Sequence, residues 1–450
     1  MNIEQVKEVY FLGIGGIGMS ALARFFKSRG CSVFGYDRIS SPLTSKLEAE
    51  GMMIHYDEDV DLIPDGIDLV VYTPAIPKKH AEYQFFLENG YPILKRSQVL
   101  GLISSEYKTI GIAGTHGKTT ISTLTAHLLQ QTPNGVNAFM GGISKNYQSN
   151  LLLSIKSEWV VAEADEFDRS FLHLFPQIAV ITSVDADHLD IYKNLLALKE
   201  SFIQFTSQIK PGGKLIIKKG IELNVVQRPG LKVYTYSIDQ QADFWIQNLR
   251  IKAGHYIFDL LLCETEMKNV ELGLPGLFNV ENAIASSAAA WLAGATTDEI
   301  RRGLLTFAGV NRRFDIRINR EDLIYIDDYA HHPEEIKACI NSIRHLYPNK
   351  KITGVFQPHL FSRTRDFADD FAHSLELLDD IILLEIYPAR EQPIEGIDSQ
   401  MLLNKINKSS KQVCKNNELI PLLKSLKPEL LLTLGAGDID QFVKPIEESL

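Results

Sequence analysis

Three segments carry residue types that handle phosphate and metal. The first is Gly114-Thr115-His116-Gly117-Lys118-Thr119-Thr120, a glycine loop between an apolar run and a helical stretch. Backbone amides, an ammonium and a hydroxyl side by side suit a triphosphate and its Mg²⁺, so ATP is the expected guest. The strict phosphate-loop pattern has glycine at position 112; this chain has Ile112, which makes the loop a variant. Glu163, Asp165, Glu166 and Asp168 follow the apolar run 159–162, and Asp185, Asp187, His188 and Asp190 follow 178–182. Both acid clusters fall at strand ends, where α/β sheets gather metal and phosphate ligands; solvated surface charge is the plainer alternative.

A second glycine loop, Gly13-Ile14-Gly15-Gly16-Ile17-Gly18, also joins a strand to a helix and faces amides toward a diphosphate. Asp37, 19 residues past Gly18, closes the next strand where a carboxylate meets ribose hydroxyls. These residues alone leave a dinucleotide site and a tight turn against a sheet both open. Near the C-terminus, Asp327-Asp328-Tyr329-Ala330-His331-His332-Pro333 lies where a strand meets a helix. Adjacent histidines do not share a helix face, so zinc is not expected. Arg363 and Arg365 offer forks for carboxylate or phosphate, with surface ion pairs as the alternative, and Gly435-Ala436-Gly437-Asp438 starts another helix.

Short β-branched runs alternating with amphipathic stretches must position these segments, which predicts an α/β fold with parallel sheets. Strands are expected at 9–12, 32–36 and 69–72, then 109–113, 159–162 and 178–182, and then 323–326, 352–356, 381–385 and 430–434. A hairpin over 244–251 and 255–262 is expected beside the second group. Helices are expected at 19–28, 121–131, 280–292 and 334–346. Three domains result: a Rossmann-like 1–106, a central phosphate-loop sheet 107–312 and a Rossmann-like 313–450.

The 450 residues are enough for three cores, and 45% hydrophobic with 23% charged residues is an ordinary globular composition. A net charge of −10 argues against a general nucleic-acid or anionic-membrane binder. The four cysteines form no CxxC pair, which fits a reducing cytoplasm. The uncharged stretch 9–23 has the look of a secretory leader, but Glu4 and Glu8 offset Lys7 and four glycines interrupt it, so that reading is rejected. No run of apolar residues is long enough to span a membrane.

Together these segments resemble the Mur ligases of peptidoglycan synthesis, and within them the members that add alanine to UDP-N-acetylmuramate. Gly13–Ser20, Gly114–Thr120, Glu163-Ala164-Asp165-Glu166, Asp187-His188-Leu189-Asp190, 309–314, 327–333, 356–359 and 387–389 follow the family's order along the whole chain. The resemblance implies that the first loop holds a UDP-sugar through Gly13, Gly15, Gly16, Ile17, Gly18, Asp37, Thr73 and Arg96. It implies ATP on Gly114 to Thr120 with Asn279 and Asn282, and Arg312 or Arg313 at the γ-phosphate. Thr119, Glu163 and His188 would hold Mg²⁺, and Tyr329, His331 and Arg363 would frame the alanine pocket. Lys118, His188, Arg313 and His331 would be the catalytic groups, with His331 as a plausible base. The partners implied are UDP-N-acetylmuramate, L-alanine and ATP, for a monomer or homodimer.

The implied reaction phosphorylates the muramoyl carboxylate, and the alanine amine then attacks the acyl phosphate under domains that close to exclude water. Four positions depart from the family pattern. Phe278 stands where His is usual, Ser183 where Asn is common, Leu360 where Arg is usual and Arg390 where Gly is usual. Arg390 is expected to supply the guanidinium missing at Leu360, because a carboxylate taken into a partly buried pocket needs a charged partner. Competing readings are a ligase that attaches a preformed tripeptide, a nicotinamide-dependent oxidoreductase built on the first loop, and a non-enzymatic nucleotide-binding regulator. Phe356-Gln357-Pro358-His359 favours alanine, and the oxidoreductase leaves the second loop and both acid clusters without work.

Overall fold

The computed structural model describes residues 3–185, 192, 194–252, 254–389 and 391–450, and for Asp168 the backbone alone. Three sheets carry the chain, as the α/β pattern predicts. The first has five parallel strands in the order Met53–His55, Ser32–Tyr36, Glu8–Leu12, Leu69–Tyr72 and Ile93–Lys95. Its central strands are buried on both faces, which is why they read as continuous apolar runs.

The second sheet has ten strands in the order Thr265–Leu272, His255–Leu262, Phe244–Lys252, Lys232–Ser237, Lys214–Lys218, Ile178–Ile181, Lys108–Ala113, Trp159–Ala164, Asn137–Ser144 and Ser149–Leu152. The expected hairpin is present but gains the partner Thr265–Leu272, whose charged, alternating sequence gives only a weak strand signal. Asn137–Ser144 and Ser149–Leu152 were not expected as strands, since Gly141 and Gly142 break the β-branched pattern. The third sheet has the order Asp315–Asn319, Ile324–Asp328, Leu430–Leu434, Ile352–Phe356, Asp380–Leu383 and Lys411–Val413, with Asp315–Asn319 antiparallel at its edge.

The chain forms two compact units, one made of Met1–Arg250, Ile257–Gly273 and Glu281–Ala308, the other of Ile251–Tyr256, Leu274–Val280 and Gly309–Leu450. Within the first unit, one apolar core runs from Val9 and Phe11 of the first sheet through Phe25, Phe139 and Ala162 to Ile217 of the second. Polar contacts fix the same joint: Asn150 donates to the Ile17 carbonyl at 2.6 Å and accepts from Arg24, which also grips Glu50 at 2.7 Å. The helix Ile17–Ser28 that follows the first glycine loop is therefore pinned to the ten-stranded sheet. No helix among the described residues is long and apolar enough to cross a membrane.

Candidate active site

The phosphate loop leaves strand Lys108–Ala113 and enters helix Lys118–Gln130. That helix begins at Lys118 and not at 121 as the periodicity suggested, because Gly117, at φ 81°, turns the chain directly into its first turn. The loop amides and the helix N-terminus thus form an anion cradle. The following strand end latches it. Ser183 Oγ accepts from the His116 amide at 2.9 Å and pairs with Thr115 Oγ1 at 2.8 Å, and Thr182 Oγ1 donates to the His116 carbonyl at 2.5 Å. Asp185 accepts from Thr115 Oγ1 at 3.3 Å. Asn282 Oδ1 lies 3.0 Å from where a Cβ on Gly117 would stand, so its side chain borders the loop. Asn279, on the same helix Leu277–Leu292, donates to the Pro275 carbonyl at 2.6 Å.

Lys118 Nζ donates to the Gly114 carbonyl at 2.8 Å and lies 2.8 Å from both carboxylate oxygens of Glu166. Burial by itself would lower the pKa of this ammonium, but Glu166, Asp165 and Glu163 hold it above its ordinary value, so Lys118 is charged. Thr119 Oγ1 donates to Glu163 Oε2 at 2.9 Å. Glu163 falls inside strand Trp159–Ala164, which extends two residues beyond the expected end. Gly141 of the adjacent strand makes room for it, since a Cβ there would lie 1.8 Å from Glu163 Oε2.

The hydroxyl of Thr119 and the carboxylate of Glu163 form a hard-oxygen pair beside the phosphate cradle. That donor set suits Mg²⁺ completed by phosphate oxygens and water. No group of three His, Cys, Asp or Glu able to hold a metal occurs among the described residues. His188, with Asp187 and Asp190, lies outside the described residues.

In the first sheet, Gly15 donates its amide to Asp37 Oδ2 at 2.7 Å, so Asp37 braces the glycine loop. A Cβ on Gly13 would meet Thr73 Cγ2 at 2.7 Å, and one on Gly18 would meet Arg96 Cδ at 2.8 Å. Thr73 and Arg96 therefore pack directly on the loop. A cavity of about 290 Å³ joins Gly16, Ile17, Gly18, Thr73 and Arg96 to Gly141, Glu163 and Asp165. Loop residues of the first sheet and the acid beside the phosphate cradle thus line one space. A second cavity of about 390 Å³ lies over the next strand ends, lined by Thr182 to Asp185 with Lys199, Lys218 and Lys219.

The other unit holds the third constellation. Arg312, at φ 62°, donates to Asp327 Oδ2 at 3.1 Å and to the Gly435 carbonyl at 2.8 Å. Both guanidinium groups lie over the Tyr329 ring, the Arg313 Cζ 4.6 Å and the Arg312 Cζ 5.5 Å from its centroid. The Tyr329 ring meets His331 edge-on at 5.3 Å, and His331 lies 5.9 Å from His359, which stacks on Tyr387. His331 Nδ1 lies 3.0 Å from the Tyr329 carbonyl. Burial pushes the His331 imidazole down to about 4; Glu335 opposes this and nearby Arg363 adds to it, so the ring is neutral at pH 7. Phe278 packs edge-on against Phe314 at 5.5 Å, an apolar use for the position where the family has His. Leu360, at φ 69°, caps helix Phe361–Asp366, which carries Arg363. Arg390 lies outside the described residues.

Three family models match the chain: the Mur ligase family catalytic domain over residues 8–108, the Mur ligase middle domain over 112–290, and the Mur ligase glutamate ligase domain over 312–437. The chain belongs to the Mur ligase family. This Mur ligase is 53% identical to the UDP-N-acetylmuramate–L-alanine ligase of Phocaeicola vulgatus, over 99% of its own length and 98% of the relative's. It is 48% identical to the enzyme of the same name from Porphyromonas gingivalis strain W83, over 99% of each chain. The crystal structure of the UDP-N-acetylmuramate–alanine ligase of Thermotoga maritima superposes with a TM-score of 0.83 at 26% identity, covering 99% of both chains. A murein peptide ligase from Psychrobacter arcticus shares the fold, with a TM-score of 0.71 at 22% identity.

Two positions that shape the Mur ligase site escaped the sequence reading. Gly141 gives way to Glu163, and Asn150 ties the first glycine loop's helix to the central sheet. The Gly141-Gly142 pair inside an apolar run was the one available signal for the former; an isolated Asn gives none.

Proposed function

We propose that this Mur ligase joins L-alanine to the carboxylate of UDP-N-acetylmuramate with cleavage of ATP to ADP and phosphate. The observation that carries this reading is the cavity in which the first glycine loop, Thr73 and Arg96 meet Glu163 beside the phosphate cradle. At about 290 Å³ it falls just under the roughly 300–1,000 Å³ usual for a whole small-molecule ligand. That volume suits the sugar-acid end of a UDP-sugar, with the nucleotide extending along the loop toward Asp37. A hydride-transfer site would have no use for Lys118, Thr119 and Glu163 at this point.

In the proposed reaction a carboxylate oxygen of the muramoyl group attacks the γ-phosphorus as the bond to ADP breaks. The alanine nitrogen then attacks the acyl carbon, the phosphate departs with that oxygen, and the nitrogen loses its proton. Lys118 and the loop amides hold the triphosphate and offset the charge that accumulates when two anions approach. Bound Mg²⁺, held by Thr119 and Glu163 with His188, would supply further charge neutralisation. Arg313, whose guanidinium lies over the Tyr329 ring, is the arginine assigned to the γ-phosphate; Arg312 is committed to buried Asp327. Tyr329, His331 and Arg363, with Arg390, are assigned to alanine. A neutral His331 suits an orienting hydrogen bond better than removal of a proton from an ammonium. Domain boundaries at 106 and 312 separate the UDP-sugar, ATP and alanine functions. All four cysteines are free, which fits a reducing, cytoplasmic setting.

The test is phosphate release from ATP and Mg²⁺ with UDP-N-acetylmuramate and each of the twenty amino acids or the tripeptide, with Lys118→Ala as control. Release with alanine supports the reading, and release with the tripeptide alone would replace it.

A further inference from the structure

We infer that Glu166 is a positioning residue for the reaction, holding the Lys118 ammonium at the phosphate loop. The inference rests on the phosphate-binding role proposed for Lys118 and extends it to a residue that touches no substrate. Three facts support it. Glu166 is fully buried, and both its carboxylate oxygens lie 2.8 Å from Lys118 Nζ. Its main chain is held too: the Glu166 carbonyl accepts from the buried Tyr192 hydroxyl at 2.5 Å and from the Arg169 amide at 2.9 Å. The Gly114 carbonyl takes another Lys118 proton at 2.8 Å.

An ammonium has three protons. The Gly114 carbonyl and the Glu166 carboxylate fix the direction of the Lys118 stem and leave donor capacity for a phosphate oxygen. A lysine side chain otherwise has rotamer freedom to lose on binding, and Glu166 removes much of that freedom beforehand. The same carboxylate adds negative charge close to a polyanionic ligand, so it weakens nucleotide binding while it improves the geometry. Removing the carboxylate therefore lowers KM and kcat together, which makes the role measurable.

The test compares wild type, Glu166→Gln, Glu166→Asp, Lys118→Met and the double variant Lys118→Met/Glu166→Gln, with ATP KM and kcat for ligation read separately. Loss of charge in Glu166→Gln is expected to lower the KM for ATP about 3- to 10-fold by removing a like charge. Loss of ammonium placement lowers kcat about 10- to 100-fold. Glu166→Asp keeps the charge, so its KM for ATP stays within about twofold of wild type while kcat falls. In the Lys118→Met background, Glu166→Gln produces no further fall in kcat, because the residue acts through Lys118. A Glu166→Gln protein with wild-type kcat overturns the inference, as does one whose KM rises as kcat falls, the signature of a damaged fold. Should Glu166→Gln not fold, the double variant, in which neither charge is left buried alone, decides the matter: a kcat well below that of Lys118→Met overturns it. Wild-type protein without ligase activity would instead refute the proposed function.

Discussion

Thr119 Oγ1 and Glu163 Oε2 are 2.9 Å apart, so the hydroxyl opening the phosphate-loop helix meets the acid ending the adjacent strand. Parallel register sets the distance: Ile112 pairs with Glu163 and Ala113 with Ala164. The strand thus delivers its carboxylate one step before the loop begins.

Glu163→Gln is expected to lower kcat by at least about 100-fold and to raise the Mg²⁺ concentration needed for half-maximal rate, since it removes the one charged donor of the oxygen pair. Gly141→Ala tests the same placement without touching a charge. Its Cβ would displace a carboxylate oxygen 1.8 Å away, and kcat should fall about 10-fold or more in steady-state assays. Wild-type kinetics in Gly141→Ala would show that Glu163 does not need its observed position.

Ser183 does the work of a latch, through the His116 amide and the Thr115 hydroxyl. Ser183→Ala removes both bonds, at about 0.5–1.5 kcal/mol each, and the KM for ATP should rise between about 5- and 150-fold. Replacement by Asn, the residue common in the family, should keep that value within about threefold of wild type. Titration of a non-hydrolysable ATP analogue gives the same comparison at equilibrium.

Buried His127 on the phosphate-loop helix lies 2.7 Å from the Tyr147 hydroxyl and 3.0 Å from Thr306 Oγ1, and burial pushes its pKa down to about 4. The unfolded chain takes up a proton near pH 6.5 that the folded chain refuses until about pH 4, so stability must fall as pH falls through that window. The loss from this one group is at most about 3 kcal/mol. His127→Gln should flatten the pH dependence of urea unfolding between pH 4 and 6.5, and an unchanged slope would contradict the assignment.

A His331 imidazole pushed down to about 4 cannot take a proton from an alkylammonium at pH 7 to any useful extent. The rate at low alanine should therefore climb with pH toward the pKa of the free amine, in wild type and in His331→Asn alike. A limb near pH 6 that disappears in the variant would restore His331 as the base.

For alanine itself, Arg390→Ala is expected to raise KM about 10-fold or more, because it removes the guanidinium assigned to the substrate carboxylate in place of the one absent at Leu360. An unchanged KM for alanine would end that assignment.

The strands that carry the chemistry were legible because parallel, two-sided burial forces long apolar runs; Ile352–Phe356 and Leu430–Leu434 fall where their composition puts them. The phosphate loop was legible for a different reason, since glycine, lysine and threonine at fixed spacing have little other use. What escaped were contacts made across the chain. Lys118 on Glu166, Gly141 under Glu163 and Ser183 on His116 join residues 22 to 67 positions apart, a separation at which periodicity carries no signal. The third strand of the Phe244–Lys252 hairpin escaped because its charged residues mark an exposed edge and no apolar run marks the strand.

The central claim is that the sugar's carboxylate and the γ-phosphate react with each other beside Glu163. Ligation of alanine with UDP-N-acetylmuramate labelled with ¹⁸O in its carboxylate tests it directly, by mass spectrometry of the released phosphate. One labelled oxygen in each phosphate is the predicted result. Phosphate free of label, with the label retained in the amide product or released as water, would contradict the account.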